Sequence, residues 1–137
     1  MKLLWQNTTK HPLSPYKSIA QTYVDDVTQE FALTQTEVSI IIVSKRRIQA
    51  MNQAYRHKPE PTDVLTFVGD ASYLGDIVIC YDVAVEKARE HQQTTDNYMR
   101  FCIVHGLLHA AGLDHQTTAS YQHMMDVQER LIQRRIL

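Results

Sequence analysis

The segment His105-Gly-Leu-Leu-His109-Ala-Ala-Gly112-Leu-Asp114-His115 gathers three of the chain's seven histidines into eleven residues. A spacing of four stacks His105 and His109 on one helical face, so both imidazoles can address one ion. Gly112 can adopt the left-handed conformation that stops a helix, and the two residues after it can return His115 to the same point. Three imidazole nitrogens suit Zn²⁺, one ion per chain, and leave a fourth position for water, as in catalytic rather than structural sites. Water bound in this way reaches a pKa of about 7, which makes hydroxide available at neutral pH. Cys102, three residues before His105, could close the site as a fourth ligand, but it sits equally well as core in the run Phe101 to Val104. Asp114 either supports a histidine from behind or caps the turn. His11, His57, His91 and His123 share no such register and are expected at the surface.

Those rings need a frame. Asp96 is the expected cap of a helix that runs through Tyr98, Phe101, Val104 and Leu108 to Ala111 and ends at Gly112. A last amphipathic helix is expected from Thr118 to Ile136. Upstream, Leu3 to Trp5 reads as a short strand, and Ser14-Pro15 opens a helix to about Leu33, with Ser14 as cap and Pro15 in the first turn. Val38 to Val43 is β-branched and nearly continuous, the pattern of a strand covered on both faces. Ser44 caps a second helix through Ile48, Met51 and Tyr55, which Pro59 and Pro61 terminate. Asp63 to Val68 and Leu74 to Cys80 are two strands joined through Gly69-Asp70, and a helix follows from about Asp82 to His91. Interleaved strands and helices predict an α/β or α+β layer of about four strands with helices packed on it. Strand order does not follow from these patterns.

Composition sets outer limits. The 137 residues are expected to form a single domain, residues 1–137, and their 44% hydrophobic and 21% charged content is that of an ordinary globular chain. No window has the apolar length of a membrane span, and the N-terminus lacks an export signal, so a cytoplasmic location and no membrane partner are expected. Cys80 and Cys102 lie in apolar stretches and read as buried thiols. A net charge of −1 gives no global attraction to phosphate. Nucleic-acid contact would have to be local, at Lys45-Arg46-Arg47, at Arg56-His57-Lys58, or at Arg130, Arg134 and Arg135, each of which also reads as a solvated helix face.

The histidine spacing matches that of metzincin proteases except at one place: the glutamate after the first histidine is Gly106 here. That glutamate is the general base of peptide hydrolysis, so protease chemistry is disfavoured. HGLLHAAGLDH instead resembles the H-G-x-L-H-x-x-G-x-D-H signature of the bacterial YbeY family, metal-dependent endoribonucleases implicated in ribosomal RNA maturation. NQAYRHKPEPTDVLTF, from Asn52 to Phe67, is similar to a second block of that family, and LGDIVIC to a third. The order and spacing of the blocks agree over nearly the whole chain. Pro59, Thr66 and Leu113 depart from the family pattern without removing a metal ligand.

The resemblance implies a small α/β fold related to zinc metalloproteases, with zinc on His105, His109 and His115, and a functional arginine at Arg56. A planar guanidinium suits bidentate phosphate recognition, and Lys58 adds a point charge nearby. The implied activity is single-strand-directed endoribonuclease cleavage of rRNA precursors in ribosome maturation and quality control. Ribosomal subunit proteins or assembly GTPases are the implied protein partners. Two other readings compete with it: a non-enzymatic ribosome-associated module stapled by a four-ligand zinc, and a metallopeptidase that works without the usual glutamate.

Overall fold

β-branched runs dictate the sheet. The structure, a computed structural model, describes residues 1–136. Its elements are β1 (Lys2–Asn7), α1 (Ser14–Glu30), β2 (Glu37–Val43), α2 (Lys45–Arg56), β3 (Val64–Val68), β4 (Tyr73–Cys80), α3 (Tyr81–Glu90), α4 (Thr95–Ala110) and α5 (Thr118–Ile136). The four strands lie in the order β1-β2-β4-β3. β1, β2 and β4 are parallel, with Trp5 opposite Ile40 and Ile40 opposite Ile77, whereas β3 pairs antiparallel to β4 and forms one edge. Among the described residues this mixed four-stranded sheet with five helices makes the fold α+β.

Alternation along the strands sorts the apolar residues. Val38, Ile40 and Ile42 of β2 and Ile77 and Ile79 of β4 enter the main core with Tyr23, Met99, Ile103 and Leu107. The opposite face carries Val43, Leu65, Val78 and Cys80, closed by Ile48 of α2. The expectation that β2 is covered on both faces holds only at its C-terminal end. Ser39 and Ile41 remain half-exposed, Ile41 packing only partly against the cluster that α2 closes.

The helix ends show which local signals prevailed. Ser44 caps α2 as expected, its hydroxyl accepting from the Arg47 amide at 3.2 Å. α1 begins at Ser14, but Leu13 occupies the cap position, with no side-chain cap. It ends at Glu30 rather than Leu33, where Ala32 turns left-handed at φ 49° and the Leu33 amide bonds back to the Thr28 carbonyl. α4 is capped by Thr94, whose hydroxyl accepts from the Asn97 amide at 3.0 Å, and not by Asp96. Tertiary partners claim Asp96 instead: it accepts from the Tyr16 hydroxyl at 3.0 Å and from Arg100 at 2.8 Å.

α5 is docked by a bidentate pair between Arg135 and the buried Asp26 of α1. The Arg135 guanidinium holds the Asp26 carboxyl below its ordinary value. A lowered folded-state pKa means that this contribution is present above the unfolded carboxylate value of about 3.9 and is lost as pH falls through the folded value. Arg135→Ala is therefore expected to lower the melting temperature at pH 7. The difference from wild type should shrink as thermal scans are carried toward pH 3, and a difference that stays constant with pH would contradict the assignment.

Candidate metal centre

α4 runs through the middle of the fold, so most of its surface is apolar. Tyr98, Met99, Cys102, Ile103, Val104, Leu107 and Leu108 are buried. His105 and His109 lie on its remaining strip, half-buried, with ring centroids 4.8 Å apart. The helix then ends in a Schellman closure, the Leu113 amide bonding to the Leu108 carbonyl and the Gly112 amide to the His109 carbonyl, both at 3.0 Å. Gly112 has φ 104°, a conformation that favours glycine. That reversal returns His115 to within 5.9 Å of His105 and 4.9 Å of His109, centroid to centroid. One ring nitrogen from each histidine lies within 4.8 Å of the others, so small ring rotations would let the three hold one divalent ion.

Among the described residues no cysteine or carboxylate joins this group. Cys102 is wholly buried in the core, where desolvation raises its thiol pKa well above the ordinary value. Cys80 is likewise a buried free thiol. Desolvation also pushes His105 and His109 below the usual histidine value, and for His109 the neighbouring His105, His115 and Arg56 push the same way. Both rings are thereby kept neutral near pH 7, with lone pairs free for a metal.

The fit of His105 depends on a residue that the sequence patterns did not single out. Its Nδ1 lies 3.0 Å from Oε1 of Gln128, which is 3% exposed on α5. An amide oxygen can only accept, so the ring carries its proton on Nδ1 and turns Nε2 toward the other histidines. The available signal was a glutamine set on the apolar stripe of Met124, Val127 and Leu131. Gln128→Leu keeps the side-chain volume but removes the acceptor, and is expected to weaken divalent-metal binding about 10- to 100-fold. Gln128→Glu, which retains an acceptor, should bind within about threefold of wild type. Competition titration against a chromogenic chelator measures both; equal affinity for the leucine variant and wild type would contradict the role.

Gly106 has a packing reason. A Cβ there would stand 2.4 Å from Cγ2 of Ile77, a fully buried β4 side chain. A residue at this position points into the sheet, so the protease glutamate is not merely missing but has no room. Gly106→Ala gains about 1 kcal/mol of helix propensity yet costs about 1–3 kcal/mol in overpacking. A net loss of stability is expected in chemical denaturation, and a stabilised variant would overturn this reading.

The histidines open into a cavity of about 300 Å³ whose other walls are Arg56, Val64, Leu65 and Thr66. Arg56 comes from the last turn of α2, and β3 forms the edge of the sheet beside the histidines. Lys58 is exposed on the following loop and does not line the cavity. Asp114 is exposed, and its carboxylate accepts from the Gln116 amide at 3.2 Å, the geometry of a turn cap. Asp63 is occupied structurally: its carboxylate accepts from the Val64 amide at 2.8 Å and from the Tyr98 hydroxyl at 2.7 Å, tying β3 to α4. His57, His91 and His123 are exposed, and His11 pairs with Asp82 at 2.9 Å.

Residues 4–135 match the family model described as "Endoribonuclease YbeY". The chain belongs to the YbeY endoribonuclease family. A YbeY endoribonuclease of Carboxydothermus hydrogenoformans is 35% identical, over 83% of this chain and 87% of the relative. Another, of Vesicomyosocius okutanii, is 30% identical over 89% and 88%. The solution structure of TM1509 from Thermotoga maritima superposes with a TM-score of 0.70 at 26% identity, covering 96% of this chain and 87% of that one. The YbeY name is that of an endoribonuclease, a hydrolase acting on RNA. Among the described residues no helix is long and apolar enough to cross a membrane.

Proposed function

We propose that this chain is a zinc-dependent endoribonuclease that cuts single-stranded segments of rRNA precursors in the cytoplasm. Its place would be in ribosome maturation and quality control, with ribosomal subunit proteins or assembly GTPases as protein partners. The observation that carries the reading is the convergence of three histidines and Arg56 on one open cavity. An ion held by His105, His109 and His115 would supply Lewis acidity toward a phosphoryl oxygen and a water of lowered pKa. Arg56, permanently charged and planar, can grip two non-bridging phosphate oxygens and stabilise the negative charge that builds on them during displacement. Lys58, on the loop that follows α2, adds attraction for the flanking backbone. Asp114 holds the turn that presents His115.

The competing readings lose ground on specific residues. A zinc staple calls for a fourth protein ligand, and none stands beside the histidines among the described residues. A peptidase calls for a carboxylate where Gly106 is pressed against Ile77. The test is cleavage of single-stranded RNA and rRNA precursors by zinc-loaded protein, with the product ends identified. A 2′,3′-cyclic phosphate assigns the attack to the ribose 2′-hydroxyl, and a 5′-phosphate with a 3′-hydroxyl assigns it to water. RNA left intact at stoichiometric enzyme ends the proposal.

A further inference from the structure

Tyr55 and Phe67 take no part in the metal cavity, yet they form an aromatic pair at the surface, with Tyr55 exposed and Phe67 half-buried. Tyr55, on the last turn of α2, is 67% exposed, and its ring meets that of Phe67 edge-on with centroids 4.8 Å apart. With Met51 and Val78 they line a cleft of about 270 Å³ on the sheet face opposite the main core. Asp76 stands in the same cleft, its carboxylate accepting from the Tyr73 hydroxyl. A carboxylate offers about four acceptor positions on two oxygens, so this bond leaves capacity for a ligand.

Charge, continuity and chemistry select the occupant. From Lys45 to Lys58 the chain carries five lysines and arginines and no acidic residue; Lys45 is paired with Glu86 of α3, and the other four let α2 and its following loop attract a polyanion. Tyr55 directly precedes Arg56 on the last turn of α2, and Phe67 follows Thr66 on β3, so the aromatic cleft adjoins the metal cavity at two of that cavity's wall residues. An aromatic face beside a hydrogen-bond acceptor is the setting in which unpaired bases are bound, by stacking and by their Watson–Crick edge. We propose that this cleft is a nucleobase subsite for single-stranded RNA, in which a base stacks on Tyr55 and presents its edge to Asp76. Guanine is the preferred base, because its N1–H and N2–H donors lie side by side and match the two oxygens of a carboxylate. The inference rests on RNA being the substrate, as proposed above.

The test measures binding of the zinc-loaded 137-residue chain to cleavage-resistant 2′-O-methyl phosphorothioate octamers, by fluorescence anisotropy. The octamers are oligouridylates that carry one guanine, one inosine or one abasic position. Wild type is expected to bind the guanine octamer about tenfold more tightly than the abasic one. Tyr55→Ala should abolish that difference and Tyr55→Phe should keep it. Asp76→Asn should retain stacking but lose the preference for guanine over inosine, which lacks the N2 amine. The Tyr55 side chain is largely in solvent, so its variants fold and carry the test alone if Asp76→Asn does not. If Tyr55→Ala binds every octamer as wild type does, or wild type binds none, the subsite is overturned; in the first case the aromatic pair becomes a protein-docking surface. Cleavage of unmodified RNA is scored separately. Tyr55-dependent base discrimination without cleavage sinks the endoribonuclease reading alone, and cleavage indifferent to Tyr55 sinks the subsite alone.

Discussion

Replacing His109 by alanine is expected to remove bound zinc and RNA cleavage together. His109 is the middle of the three ligands, adjacent in space to both His105 and His115. Its loss leaves two imidazoles about a helical turn and a loop apart, and zinc affinity should fall by at least about 100-fold. Because the ion is assigned both the polarisation of phosphate and the activation of water, the rate should fall by about 10³-fold or more. The fold should survive, since the core residues Leu107 and Leu108 beside it are untouched. Metal analysis by mass spectrometry, cleavage rate and circular dichroism on one preparation separate these effects. Stoichiometric zinc in the variant would contradict the assignment, and full activity without zinc would contradict the mechanism.

Arg56→Ala is expected to separate metal binding from catalysis. Arg56 is exposed at the end of α2 and contributes no ligand atom to the histidine group. Zinc content and melting temperature should therefore match wild type, while kcat/KM for single-stranded RNA falls about 10²- to 10³-fold through lost charge stabilisation. Arg56→Lys should recover only part of that loss, because an ammonium is a point charge and cannot hold two phosphate oxygens at fixed geometry. An alanine variant with wild-type kcat/KM would remove Arg56 from the site and leave the cavity without an identified phosphate contact.

Much of the site was legible because it is local. The His-x3-His register, the positive φ of Gly112 and the short return to His115 are all properties of eleven contiguous residues. The hairpin between β3 and β4 was readable for the same reason, since Gly69 and Asp70 lead into its turn, which bends at Ala71 and Ser72. What depends on distant partners was not. The order β1-β2-β4-β3 follows from how helices cross the sheet, which no window of sequence encodes. Thr94 and Asp96 are both capable caps, and the choice was made by Tyr16, eighty residues from Asp96 in sequence. Gln128 escaped because its meaning depends on His105, which lies 23 residues earlier. The glycine at 106 read as a missing catalytic group, and only the approach of Ile77 revealed it as a contact between helix and sheet.

Zinc K-edge X-ray absorption on the metal-loaded protein addresses the centre itself. Three imidazole nitrogens and one oxygen at about 2.0 Å, with no sulfur, are the expected shell. A sulfur at about 2.3 Å, or a fourth imidazole in place of the oxygen, would mean a sealed ion and would contradict the catalytic centre proposed for His105, His109 and His115.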